Sequence, residues 1–374
     1  MLSLKTSPIE ILSVTTLLIG FIIIFLYLIG LEQIYDNSEK IMSQTVASFS
    51  SSVYYNHGVN SIMPSSKFNS YDIMPVDSSL SKRGIWQSAM VDESGDEQVD
   101  QKSIKKFENA SGKNLALVVF SNDWYDGIFF PTLKANIIKK NNAVPIIRMA
   151  PWINNGQNLS DAGPYSVSNI STGLHDKALI KWAKAAKAFS SPILVDFGYE
   201  PNADYFPWSK EGPSKYIAAY RHVVDIFRQQ NVSNVYFVYH PDMGTNVNDM
   251  KKWYPGDKYV DWILASAYGE DDDIGCLGIL NKYYHQLVSI SLTKPLGIEE
   301  WGIGSPDDTK NTLNALANNK FPKIKILSIW NEGPAGGKDR RIEQSSEMLN
   351  AYRDGIANSI YLSSNFDPDS FKLH

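Results

Sequence analysis

Beyond Lys82 the chain alternates between short apolar runs and amphipathic stretches. The apolar runs fall at 84–90, 115–120, 143–149, 192–197, 235–239, 260–267, 295–298 and 324–330. Runs of this length bounded by turn residues predict buried strands. Between them, 103–110, 131–140, 176–189, 213–230, 277–290, 308–318 and 342–357 carry apolar residues at three- and four-residue spacing and predict helices. Only the fifth connection falls short, with a brief helical stretch near 248–254. Eight strands, each followed by a helix or its remnant, over about 290 residues predict an α/β chain folded as a (β/α)8 barrel. A doubly wound open sheet fits less well, because 84–90 is not followed by the glycines of a phosphate-binding turn.

The first 82 residues are different. Residues 11–31 are 21 in a row without a charge, bounded by Glu10 and Glu32. A helix of that length matches a hydrocarbon core of about 30 Å, so a single transmembrane anchor is expected. Its apolar stretch is longer than a signal peptide's and no small-residue cleavage pattern follows it. Lys5 and the amino terminus on one side, against Glu32, Asp36, Glu39 and Lys40 on the other, place 1–10 in the cytoplasm. Thirteen serines between Asp36 and Lys82 make 32–82 a flexible stem. The expected organisation is then a barrel at 83–360, held outside the cell membrane, and a C-terminal tail at 361–374.

Composition narrows the function. With 374 residues, 43% of them hydrophobic, the chain can bury a large core. A net charge of −5 with acids and bases mixed leaves no basic footprint for nucleic acid. The lone cysteine, Cys276, rules out an intramolecular disulfide and a cysteine-based zinc cluster, and its expected role is packing at a helix start. The histidines are scattered, and Asp271-Asp272-Asp273 lacks the glycine and terminal Glu of a calcium loop, so neither metal nor cofactor is expected.

A barrel takes its working groups from the carboxyl ends of its strands. Read in order, those ends offer Trp86, then Asp123 and Trp124, Arg148 and Trp152, Glu200 and Asn202, His240 and Asp242, Tyr268, Glu299 and Glu300, and finally Trp330 and Glu332. The densest is the fourth, where Phe-Gly-Tyr-Glu-Pro-Asn-Ala-Asp-Tyr-Phe-Pro-Trp follows the apolar run from Pro192. Glu200 there sits among Tyr199, Tyr205, Phe206 and Trp208, a water-poor setting suited to a proton donor. Aromatic faces beside an acid also suit sugar rings. Acids on strands four and seven face each other across the mouth, and two carboxylates in unequal settings are what glycosidic bond cleavage requires. For any one of these rings, packing beneath a loop is the plain alternative.

Glu200, Asn202, Pro207 and Trp208 match the steps of the acid/base motif of glycoside hydrolase family 26, usually His-Glu-x-Asn before an aromatic stretch ending Pro-Trp. Tyr254-Pro-Gly-Asp-Lys-Tyr-Val-Asp-Trp-Ile with Ser266-Ala-Tyr-Gly resembles that family's sixth strand, and Lys294-Pro-Leu-Gly-Ile-Glu-Glu-Trp-Gly its nucleophile strand. The resemblance implies a retaining β-glycanase with Glu200 as acid/base and Glu300 as nucleophile; a monomer is expected separately. Tyr268 would hydrogen-bond the nucleophile. Trp86, Trp124, Arg148, Trp152, Tyr199, Asn202, Trp208, His240 and Trp330 would complete the substrate cleft. The family's His before the acid/base is Tyr199 here. Mannan-type substrate is favoured, with β-1,3-xylan and mixed-linkage β-glucan open. Two other expectations carry less: a non-hydrolytic glycan-binding barrel, and a transglycosylase of cell-surface polysaccharide assembly.

Strand alternation gives one further expectation. Of the adjacent Glu299 and Glu300, only one should point inward. Leu296 and Ile298 share the parity of Glu300, which predicts that face as the interior one and leaves Glu299 turned toward the helical layer or in the loop base.

Overall fold

The computed structural model describes residues 84–92, 99–153, 162–243, 250–268, 274–302, 304–333 and 339–370. The stretch 11–31, the stem and the Asp271-Asp272-Asp273 run lie outside them. Among the described residues no helix is long and apolar enough to cross a membrane.

Eight parallel strands close into a barrel: β1 Ile85–Asp92, β2 Leu117–Asp123, β3 Val144–Ala150, β4 Ile193–Phe197, β5 Val235–Tyr239, β6 Trp262–Ala267, β7 Leu296–Trp301 and β8 Ile324–Glu332. Each pairs with the next, and β8 and β2 both pair with β1, which completes the ring. The principal helices are α1 Gln101–Ser111, α2 Thr132–Lys140, α3 Val167–Ser171, α4 Asp176–Phe189, α5 Pro213–Gln229, α6 Gly275–Ile290, α7 Pro306–Ala317 and α8 Ser346–Ile356. Between β5 and β6 the described residues form a single helical turn, Met250–Trp253. The barrel expected from the alternation of runs is the one observed.

Local chemistry fixes the helix starts. Asp100 and Ser103 form a reciprocal capping box on α1, and Ser305 and Ser345 accept the Asp308 and Met348 N–H groups at α7 and α8. The start of α6 is capped from another helix. The Asp308 carboxylate accepts from the Cys276 and Leu277 N–H groups at 3.1 and 3.3 Å, and Cys276 itself is buried.

Alternation along the strands builds two cores. Leu117, Val119, Ile146, Leu194, Val238, Leu264 and Ile326 fill the barrel interior, while Val118, Phe120, Ile147, Val195, Ile263 and Leu327 pack outward under the helices. Fully burying a side chain of this size stabilises by about 1.5–3 kcal/mol.

The end of the barrel at the strand starts is closed by the last described segment. After α8, β9 Tyr361–Leu362 pairs with β1. The Phe366 ring then meets Trp86 edge-on at 5.0 Å and Trp262 at 5.6 Å, and the Tyr236 hydroxyl donates to Asp369 at 2.7 Å. Residues 361–370, expected as a tail, are thus part of the packed barrel. Trp86, expected at the mouth, is corrected by the same contacts. It is the second residue of β1, not its last, and helps seal the opposite end.

Candidate active site

One chemical change defines the mouth. Moving along each strand, the inward row passes from apolar to polar: Ile146 to Arg148, Leu194 to Asp196, Val238 to His240, Leu264 to Ser266, Ile326 to Ser328. All five polar residues are buried, Arg148 at 2% exposure and the other four at 0%. Buried charge on this scale is tolerated only when paired.

The loop after β4 turns sharply to bring its acid back over this layer. Gly198 takes φ +61°, and a Cβ there would press on the Tyr216 and Trp208 rings. Glu200 has φ +49° without being glycine, a conformation costing about 1–3 kcal/mol and held only by its surroundings. Those surroundings are specific. The Glu200 N–H donates to the His240 carbonyl at 2.7 Å, and the Trp208 indole N–H donates to the Tyr199 carbonyl at 2.7 Å. The Asn202 amide exchanges two hydrogen bonds with the Asp242 backbone, at 2.8 and 2.9 Å. The Tyr205 hydroxyl donates to the Glu200 carboxylate.

Strand β7 corrects the alternation argument. Leu296 and Ile298 face outward into the helical layer, and Gly297 faces the interior, where a Cβ would lie 2.6 Å from Leu264 and 2.9 Å from Ile326. By simple alternation Glu299 would then be the inward acid. The register breaks here: Ala265 lies opposite Ile298 but Ser266 lies opposite Glu300, so β7 carries one extra residue. Such a bulge breaks the alternation and re-aims side chains. Glu299 and Glu300 consequently both point inward, Glu299 below and Glu300 into the cleft.

Glu300 is held from two sides. An Arg148 guanidinium nitrogen lies 2.7 Å from one carboxylate oxygen, and the Tyr268 hydroxyl donates to the other at 2.8 Å. Burial pushes its pKa up to about 8, against the pull of Arg148; the Glu200 charge pushes it further up, while His240 and the Tyr268 hydrogen bond pull it down. Burial and the neighbouring acids raise the Tyr268 hydroxyl far above its ordinary value, so it stays a donor.

Beneath the cleft runs a second ionic group. His240 Nδ1 is 2.8 Å from Asp196 and 3.7 Å from Glu299, and its Nε2 is 2.8 Å from the Ser266 hydroxyl. Burial acts to lower the His240 pKa, but Glu299 and Asp196 outweigh it and hold the ring's pKa well above the ordinary value. Burial, reinforced by Glu299, pushes Asp196 up to about 7. The sets Asp196–His240–Glu299 and Glu200–His240–Glu300 contain metal-ligand donor types. His240 has both nitrogens engaged within the protein, and Arg148 already supplies the cation at Glu300.

The cleft, about 260 Å³, is lined by Arg148, Trp152, Tyr199, Glu200, Tyr205, Phe206, Asp242, Tyr268, Glu300 and Trp330. Seven of these were expected from the sequence as catalytic or substrate-binding residues, and Tyr205, Phe206 and Asp242 were named beside them. Trp124, Asn202, Trp208 and His240, expected as substrate contacts, are 0–1% exposed and are corrected to supporting roles. Trp124 packs edge-on against Tyr165 and His175, Trp208 stacks on Phe206, Asn202 ties down the Asp242 backbone, and His240 lies beneath the acids. Asp196 went unread. Its signal was an acid two residues after Leu194, on the same face of an apolar strand.

The arrangement matches known proteins. The family model described as Glycosyl hydrolase family 26 matches residues 164–322. Endoglucanase H of Acetivibrio thermocellus is 28% identical over 280 residues, covering 69% of this chain but 29% of that protein, so the chain spans under a third of its curated relative. Among solved structures, a modular endo-β-1,4-mannanase from Cellulomonas fimi shares the fold with a TM-score of 0.59 at 19% identity, over 79% of this chain and 76% of that one. A β-mannanase from Bacteroides ovatus does so at 0.56 and 15%, over 79% and 94%. With family model, curated relative and barrel in agreement, the resemblance read from three separated motifs stands: the chain is similar to glycoside hydrolase family 26.

Proposed function

We propose that the barrel is a retaining endo-β-glycanase that cleaves a β-linked polysaccharide by double displacement. The observation that carries this reading is the spacing of the acids. One oxygen of Glu200, one of Glu300 and a ring nitrogen of His240 lie within 4.8 Å of one another. Retaining enzymes hold their carboxyls about 5–5.5 Å apart, whereas inverting ones leave room for a water at about 6.5–9.5 Å.

The contacts divide the labour. Arg148 and Tyr268 both favour negative charge on Glu300, which attacks the anomeric carbon as Glu200 protonates the departing glycosidic oxygen. Glu200, now a carboxylate accepting from Tyr205, then takes a proton from the water that breaks the Glu300–sugar ester. Trp152, Phe206 and Trp330 offer apolar faces to sugar rings. Mannan-type substrate is favoured by the mannanase relatives, and the endoglucanase relative keeps a β-glucan open. The uncharged stretch 11–31 supports an anchor in the cell membrane, and the charges that flank it support a barrel held outside.

The test is product analysis of the full chain on β-mannan, β-1,3-xylan and mixed-linkage β-glucan, with NMR of the first anomer released. Retention and 2-fluoro-glycoside labelling of Glu300 are expected. An inverted product, or label on Glu299, would sink the assignment. Protease added to intact cells should release the barrel; protection until lysis would overturn the orientation.

A further inference from the structure

Tyr199 occupies the position at which the acid/base motif departs from the family's histidine, and its ring does something an imidazole would do poorly. The Arg148 guanidinium carbon lies 3.5 Å from the centre of the Tyr199 ring and 5.2 Å from that of Trp330. Arg148 is 2% exposed. A cation that deep needs compensation beyond one carboxylate, and the negative face of an aromatic ring provides it. A planar guanidinium can lie flat on the ring while its edge reaches a carboxylate, which an ammonium cannot do. The same guanidinium holds Glu300 at 2.7 Å.

The ring is itself fixed. Phe206 and Trp208 meet it edge-on at 4.7 and 5.0 Å, and the Trp208 N–H holds its backbone carbonyl. Histidine here would present a smaller face and, once protonated, would repel the guanidinium. Tyr199 and Arg148 therefore form a matched pair.

We propose that Tyr199 is a positioning residue: its ring seats Arg148 against Glu300 and thereby sets the pH above which Glu300 is ionised and able to attack. The proposal rests on the reading of Glu300 as nucleophile. Other groups face Glu300 too: Glu200 and Tyr205 after β4, His240 after β5 and Tyr268 after β6, with Asp242 lining the same cleft. The Tyr199 ring is 6.3 Å from the His240 ring, so that neighbour must be watched as well.

The experiment compares full-length wild type, Tyr199→Phe, Tyr199→Leu and Tyr199→His. The pH profile of kcat/KM is measured on whichever of β-mannan or mixed-linkage β-glucan the wild type cleaves. Loosening Arg148 removes positive charge from Glu300, which raises its pKa. The acid limb in Tyr199→Leu should thus move up by about half to one pH unit, giving a roughly three- to tenfold loss at low pH that recovers as pH rises. Tyr199→His should follow Leu, and Tyr199→Phe, which keeps the ring, should keep the wild-type midpoint. An unmoved midpoint in a folded Tyr199→Leu, an equal loss at every pH, or Phe behaving like Leu would overturn the proposal.

Carbon-13 NMR of the Glu300 carboxyl, assigned with Glu300→Gln, reads the same shift without turnover. A wild type inactive on every glycan would defeat the enzymatic reading, while the carboxyl titration would still decide whether Tyr199 controls Glu300. Should Tyr199→Leu fail to fold, the titration of Tyr199→His against Tyr199→Phe decides alone.

Discussion

The two ends of the barrel use opposite chemistry for the same interior space. At the strand starts, Trp86, Trp262 and Phe366 pack ring on ring, with one hydrogen bond from Tyr236 to Asp369 at the edge. At the strand ends, the same inward rows carry Arg148, Asp196, His240, Glu299 and Glu300, all 5% exposed or less. The first end lowers the free energy of the folded state. The second raises it, because burying charge costs more than its pairing returns unless every partner is in place. The difference separates residues selected for packing from residues kept despite their cost.

The mouth is most sensitive at the nucleophile. Glu300→Gln keeps the shape and removes the attacking charge, so turnover should fall about a thousandfold or more, the scale on which loss of a nucleophile is felt. Reducing-sugar release measures it, and a loss under tenfold would move the nucleophile elsewhere. Next comes Glu200→Ala. Cleavage of substrates with poor leaving groups should be crippled, whereas activated aryl glycosides, which need little protonation, should be largely spared in the bond-breaking step. Equal losses on both would assign Glu200 another role.

At the closed end the effect should appear in stability alone. Phe366→Ala leaves Trp86 and Trp262 facing a cavity and should cost about 3 kcal/mol, read by chemical denaturation, with kcat/KM unchanged at temperatures where the variant is folded. A change in turnover would show that the two ends communicate.

The smallest expected effect is a slope. Asp196 and Glu300 have folded pKa values raised to about 7 and about 8, and His240 is raised as well. Each makes the folded state bind more protons than the unfolded chain through its window, so stability falls as pH rises through it. For the two acids the window runs from the ordinary carboxylate range to about 7 and 8. Wild-type Tm should therefore decline from about pH 5 to 8, and Glu300→Gln should flatten the decline. A Tm that rises over this range would mean that pairing outweighs burial at these sites.

Much of this was readable in one dimension because barrel strands are short, buried on both faces and separated by amphipathic helices, so hydrophobic periodicity reports them directly. The motif around Glu200 was legible for a related reason: catalytic residues at strand ends are local in sequence. What failed was side-chain direction. Trp86 reads as a rim aromatic until the actual start of β1 puts it at the other end, and His240 reads as a substrate contact until Asp196 and Glu299 enclose it.

The eight-fold alternation, the acids on strands four and seven, and the aromatic crowd around Glu200 are all written in one dimension, since each depends on composition and spacing within one segment. Only the tertiary structure decided which of Glu299 and Glu300 enters the cleft, because a bulge arises from the register between neighbouring strands. It alone joined Tyr199 to Arg148 and Arg148 to Glu300. Those contacts link β3, the loop after β4, and β7, segments brought together only when the sheet closes on itself.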